Sequence, residues 1–195
     1  SSCNRTNSGA VTIANSDKFS SLDTLSTTSP DSAADRLRNL IFNSLVKKNE
    51  KFEYVGDLAK DIKIGEDNLT VTFTLPDNVK FHNGQALTSA DAKYTLEALF
   101  QAEGYKGTAF YDSKPNPADP KKPLKEPHIT SIETPDTKTL AIKVSRPALV
   151  NQLLSNLVAI PIIPNNTIEQ QKTAPIGTGA FKFNKFDQLN NIVEL

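Results

Sequence analysis

The side chains with the widest chemical reach in this chain are two imidazoles, His82 and His128, and a single thiol, Cys3. An imidazole serves as metal ligand or proton carrier only beside His, Cys, Asp or Glu partners. His82 and His128 are far apart, no His-x-x-x-His spacing occurs, and His128 sits among prolines. His82 falls in the turn Phe81-His82-Asn83-Gly84, where an imidazole is expected to bond the backbone. Asp91 follows Thr88 by three positions, the spacing of a helix cap rather than of a general base. Serines are many, but none lies in a Gly-x-Ser-x-Gly elbow. Gly177-Thr178-Gly179 imitates a phosphate loop without the Lys-Ser/Thr such a loop needs; paired glycines there predict a tight backbone approach between lobes. No catalytic residue, metal or cofactor is expected.

Cys3 cannot pair within the chain, and its position carries more meaning than its redox state. Small residues, Ser1 and Ser2, precede it, and the polar run Asn4-Arg5-Thr6-Asn7-Ser8-Gly9 follows. That arrangement is similar to the end of a bacterial lipobox, with Cys3 as the lipidated residue and residues 1–10 as a flexible tether. The chain begins with Ser, holds no Met and shows no signal peptide, so it reads as a processed product or a trimmed piece of a longer chain.

These residues must be carried by elements that the rest of the sequence specifies. Lys plus Arg and Asp plus Glu both number 22, so the formal charge is zero, which removes the simplest electrostatic case for nucleic acid, and the basic runs Lys47-Lys48 and Lys121-Lys122 are too short to make a patch. No run of 18 apolar residues exists to span a membrane. Val11-Thr12-Ile13-Ala14 predicts a strand, and Ser29-Pro30 a helix start whose apolar stripe is Leu37, Leu40, Ile41 and Leu45. From Asp57 to Leu75 the alternation of Ile62, Ile64, Leu69, Val71, Phe73 and Leu75 with polar residues predicts a β-hairpin around 65–68. A second hairpin is expected over Ile129–Val144, with its turn at 134–138. Thr88 to Ala102 predicts a capped helix with Ala92, Leu96, Leu99 and Phe100 inward, and a short helix is expected from Arg146-Pro147 to Leu154. Val79 and Phe81 predict a short strand, as do Phe181, Phe183 and Phe186. The prolines at 115, 117, 120, 123 and 127 predict an irregular exposed loop over 105–127.

In order and spacing these segments resemble the family-5 extracellular solute-binding proteins, the peptide and nickel receptors of ABC importers. The stretch 69–99 carries the likeness most strongly. It holds a strand, a Phe-His-Asn-Gly turn at 81–84, and a helix opened by the Thr-x-x-Asp of Thr88 and Asp91. Gly177-Thr178-Gly179-Ala180-Phe181-Lys182 is similar to the family's Gly-Thr-Gly-Pro-Tyr-Lys. Weaker matches are Leu22-Asp23, Gly56-Asp57-Leu58-Ala59, 131–136 and Pro161-Ile162-Ile163-Pro164. The chain departs from the family at Ala180, where Pro is usual, at Pro76, where an Arg is common, and at Lys60-Asp61-Ile62, where Ser-Trp-Glu is frequent.

The resemblance implies an α/β fold, the N-terminal part of a type II periplasmic-binding-protein-like fold, with mixed or antiparallel sheets and flanking helices. It implies that 11–29 and 171–195 belong to a first lobe, that 30–170 form an inserted subdomain, and that the C-terminal lobe of the family is absent. The implied function is solute binding, without catalysis, for an importer of oligopeptides or dipeptides; a nickel or metal-chelate receptor, or a non-transport interaction lipoprotein, are the alternatives. The partners would be the solute and the permease subunits. No nucleic acid is involved, and the only membrane contact would be a lipid anchor at a periplasmic or cell-surface site. Ser16, Asp17, Lys18 and Phe19, with Gly177, Thr178 and Gly179, are the candidate ligand contacts.

Overall fold

The computed structural model describes residues 2–5, 11–14, 22–27, 29–190 and 192–195, with the backbone alone for 2–5, 13 and 14. Two strands open it, β1 (Ser2–Arg5) and β2 (Val11–Ala14), paired antiparallel with Cys3 opposite Ile13. Part of the expected tether is therefore strand: backbone N–H and C=O groups at 2–5 find ladder partners in β2. α1 (Ser32–Ile41) follows. Its cap is Asp31, not Ser29: the Asp31 carboxylate accepts the amides of Ala33 at 2.9 Å and Ala34 at 3.1 Å. An acidic side chain at this place satisfies orphan donors and complements the positive end of the helix.

β3 (Val46–Lys48) and β4 (Tyr54–Gly56) form a small hairpin. β5 (Asp61–Ile64) and β6 (Thr70–Thr74) form the first hairpin expected from the alternation. α2 (Ser89–Gln101) is the helix expected after Thr88. Between them, Val79 and Phe81 do not make a strand; only Lys80 bridges to Ala86. The region 105–127 is more regular than its prolines suggested. It contains α3 (Tyr105–Thr108) and a hairpin of β7 (Tyr111–Lys114) with β8 (Leu124–Pro127). Pro115, Pro117, Pro120 and Pro123 lie in the connection, and Pro127 ends a strand of a sheet with no third member, where a missing N–H costs little.

β9 (Ile129–Asp136) and β10 (Thr139–Val144) make the second expected hairpin, with a tighter turn than 134–138. α4 (Leu149–Leu157) begins later than Arg146-Pro147 predicts. The chain closes with a 3-10 turn at Gln170–Lys172, then β11 (Lys185–Asp187) and β12 (Ile192–Glu194). Phe181 and Phe183 stay outside any strand because their segment is pulled onto α1 instead.

Two four-stranded sheets result, β1-β2-β12-β11 and β5-β6-β10-β9, every described pairing being antiparallel. The first joins the two ends of the described chain: Ile13 faces Val193, and Val11 and Leu195 exchange backbone bonds at 2.9 and 2.8 Å. In the second, Leu140 sits opposite Phe73 and Ile142 opposite Val71, all fully buried. Period-2 alternation puts these residues on one face, against Leu96 and Leu99 of α2. Each such large side chain withdrawn from water stabilises the fold by roughly 1.5–3 kcal/mol.

Candidate functional site

Of the candidate contacts, Ser16, Asp17, Lys18 and Phe19 lie outside the described residues. Gly177, Thr178 and Gly179 are described, and they lie across the C-terminal end of α1. The last carbonyls of a helix lack intrahelical donors. Here the crossing segment supplies them: Gly179 N–H donates to Ile41 O at 2.7 Å and Phe181 N–H to Leu40 O at 3.1 Å. The approach leaves no space for side chains. A Cβ on Gly177 would stand 2.3 Å from Ile41 O, and one on Gly179 2.6 Å from Leu40 O. The paired glycines are thus required by contact, and the contact is with the end of α1.

Thr178 is held from a second direction. Its hydroxyl donates to Asn43 Oδ1 at 2.9 Å. Asn43 Nδ2 in turn lies 3.4 Å from each carboxylate oxygen of Asp57, which also accepts Ser44 N–H at 3.2 Å. The Gly-Asp-Leu-Ala stretch at 56–59 is thereby linked to the crossing. His82 closes the arrangement. Its own N–H donates to Gly177 O at 3.0 Å, and its Nε2 lies 2.8 Å from Gly179 O. A carbonyl only accepts, so Nε2 carries the proton in the tautomer this bond selects. Nδ1 is buried with no partner among the described residues. The imidazole is a backbone clasp, as the turn predicted. Beside it lies a cavity of about 290 Å³ lined by His82, Asn83, Gln170, Ile176, Lys182 and Phe183.

Asp91 serves as a cap with added reach. Its Oδ2 accepts Thr88 N–H at 2.8 Å and the Thr88 hydroxyl at 3.1 Å, while Oδ1 accepts Asn165 N–H at 2.9 Å. It binds the start of α2 to the Pro-Ile-Ile-Pro segment. His128 is buried, not looped out: Nε2 lies 2.8 Å from Asp112 Oδ1, and Arg146 holds Asp112 Oδ2 at 3.1 Å. The His128 bond, then the Arg146 bond, holds the Asp112 carboxyl below its usual range. Both carboxylate oxygens are engaged in joining β7 to the ends of β8 and β10. No local pattern announced this cluster, because its members are brought together only by the hairpin. Among the described residues no group of three or more His, Cys, Asp or Glu side chains could hold a metal ion, and no helix is long and apolar enough to cross a membrane.

Residues 53–195 match the family model "Bacterial extracellular solute-binding proteins, family 5 Middle". A Brucella ovis protein, provisionally named an ABC transporter peptide-binding protein, is 36% identical over 157 residues, covering 74% of this chain and 27% of its own length. The chain thus spans under a third of that relative. Among solved structures, AgaA of A. tumefaciens R10, in complex with agropinic acid, superposes with a TM-score of 0.68 at 26% identity over 87% of this chain and 32% of its own. The oligopeptide-binding protein AppA of Bacillus subtilis, in complex with a nonapeptide, gives a TM-score of 0.67 at 22% identity over 88% of this chain and 33% of its own, a likeness of fold. These neighbours have the type II periplasmic-binding-protein fold, and the mixed α/β architecture here, with antiparallel sheets and flanking helices, is of that kind.

Proposed function

The chain belongs to the bacterial extracellular solute-binding proteins of family 5, and on that premise we propose that it acts as the substrate-binding part of an ABC importer for oligopeptides or dipeptides. The observation that carries this reading is the 36% identity with a protein named for peptide binding. The family match over 53–195 takes in the clasp built from His82, Gly177 and Gly179. In this reading 11–29 and 171–195 belong to one lobe, 30–170 form a subdomain inserted in it, and closure against a second lobe encloses the solute. The sheet that pairs β2 with β12 supports the joining of the two lobe segments. Ser16, Asp17, Lys18 and Phe19, which follow β2 in the sequence, are proposed to contact the solute. Gly177, Thr178 and Gly179 form wall backbone, since their described hydrogen-bonding groups are turned toward α1, Asn43 and His82.

The protein works without catalysis, on the periplasmic or cell-surface side, and passes its solute to permease subunits. Cys3 carries a lipid that holds it to the membrane. Three measurements test this. Protein isolated intact from its producing cell is denatured and the released solute identified by mass spectrometry and elemental analysis. Peptides support the reading, whereas nickel or a metal chelate moves the assignment to the alternative receptor. Loss of the gene with unchanged peptide uptake would favour the non-transport lipoprotein. Mass spectrometry of detergent-extracted protein should find a diacylglycerol adduct on Cys3, and a free thiol there removes the anchor.

A further inference from the structure

Lys106 is 6% exposed, an unusual position for an ammonium. It lies on α3, and its Nζ reaches three other parts of the chain. It donates to Thr24 O at 2.7 Å and to Ala159 O at 3.2 Å, and it stands 3.5 Å from Asp35 Oδ1 of α1. Three donors thus meet three acceptors, the condition for burying a charge at tolerable cost.

The segment it grips is itself organised. Asp23, buried, accepts Leu25 N–H at 2.8 Å and Ser26 N–H at 3.1 Å. Tyr105 N–H donates to Thr27 O at 3.0 Å, and Gly104 lies so close that a Cβ there would stand 2.8 Å from Thr27 O. Residues 22–27 are therefore seated on α3. We propose that Lys106 is a positioning residue whose buried amino group fastens 22–27 to α1 and to the chain leaving α4, so that the segment opens only when that group returns to water. The role is independent of which solute is bound.

The charged groups facing Lys106 are Asp35 and Arg38 from α1 and Asp23 from the gripped segment, while the chain after α4 presents the Ala159 carbonyl. Burial first, and then Arg38, pull Lys106 down to about 8 from 10.5, against the opposing pull of Asp35 and Asp23. Below about pH 8 both closed and open forms are charged. Between 8 and 10.5 the closed form is neutral and the open form takes up a proton, so opening becomes harder as pH rises through that window. The limiting slope for one proton is about tenfold per pH unit.

Hydrogen exchange of the Leu25, Ser26 and Tyr105 amides on the full chain, corrected for the intrinsic pH dependence, reads this directly. From pH 7 to 9.5 the opening constant of these amides should be flat up to about 8 and then fall by roughly tenfold or more. In Lys106→Met these amides should exchange about tenfold faster or more at pH 7, roughly the loss of one hydrogen bond, and the inflection should vanish. The β5–β6 turn amide of Gly65 should keep its wild-type rate. Asp35→Asn, which removes the opposing carboxylate, should move the inflection to lower pH, and it decides the matter if the Met variant does not fold. An unchanged profile in Lys106→Met, equal acceleration at Gly65, or an unmoved inflection in Asp35→Asn would overturn the proposal.

Discussion

The imidazole Nε2 of His82 lies 2.8 Å from the carbonyl oxygen of Gly179, a residue 97 positions further along the chain. Together with the bond from His82 N–H to Gly177 O at 3.0 Å, it clamps the crossing segment from the side opposite α1. The turn at 81–84 and the glycine segment are therefore one structural unit.

His82→Ala should lower stability by about 1–3 kcal/mol, because it leaves the Gly179 carbonyl without its donor. Urea denaturation followed by far-UV circular dichroism measures it. A loss below about 0.5 kcal/mol, the size of a surface substitution, would mean water replaces the imidazole without cost.

Gly179→Ala should be at least as damaging, at about 1–3 kcal/mol or more, because its Cβ would meet backbone atoms of α1 that cannot yield as a side-chain tip can. Thermal unfolding of this variant beside Gly84→Ala separates two causes. Gly84 has open space around it and a φ of +87°, so that variant reports backbone strain without a clash.

Asp91→Ala should cost more than Thr88→Ala. The Thr88 change removes one hydroxyl at a helix cap, worth about 1 kcal/mol. The Asp91 change removes the acceptor of two backbone amides, those of Thr88 and Asn165, and should cost about 2 kcal/mol or more. Equal denaturation midpoints for the two variants would contradict the central role of the carboxylate.

Phe52 stands at φ +62° while 77% exposed, in the left-handed region that costs an L-residue about 1–2 kcal/mol. Burial does not repay that strain, and Lys48 Nζ at 5.4 Å from the ring centre returns only a fraction. Phe52→Gly should therefore raise stability by about 0.5–1 kcal/mol despite the greater chain entropy of glycine. A lower melting temperature for that variant would show that the ring contributes more than its contacts indicate.

Asp67 is held at about 2, below its ordinary 3.8, by the amides of Leu69 and Thr70 and by the Thr70 hydroxyl in the β5–β6 turn. The lowering means that the folded state favours the carboxylate. Its contribution is complete above pH 3.8 and is lost as pH falls through about 2. The difference in melting temperature between the wild type and Asp67→Ala should therefore be constant at pH 5–6, about one to two units clear of that range. It should shrink steadily on acidification below pH 4, and a pH-independent difference would contradict the assignment.

Much of this fold was legible in the sequence because its causes are local. Ile62, Ile64, Val71 and Phe73 announce a hairpin through an alternation set by the strand itself, and Thr88 with Asp91 announces a helix through a bond spanning three residues. The glycines at 177 and 179 signalled a close approach, expected between lobes; that α1 is what they meet came only from packing. A local signal can also mislead: Ser29-Pro30 predicts a helix start, but it is the Asp31 carboxylate that meets the free amides. The prolines between Lys114 and Leu124 disguised a hairpin because its strands are held by ladder bonds on either side of them. What tertiary structure alone decided is every pairing of distant residues: His82 with Gly179, Thr178 with Asn43, His128 with Asp112, and Lys106 with Thr24 and Ala159. Residue type states what a side chain can donate or accept; which group it meets depends on packing across the whole chain, and a buried polar atom must be matched there or the fold loses stability.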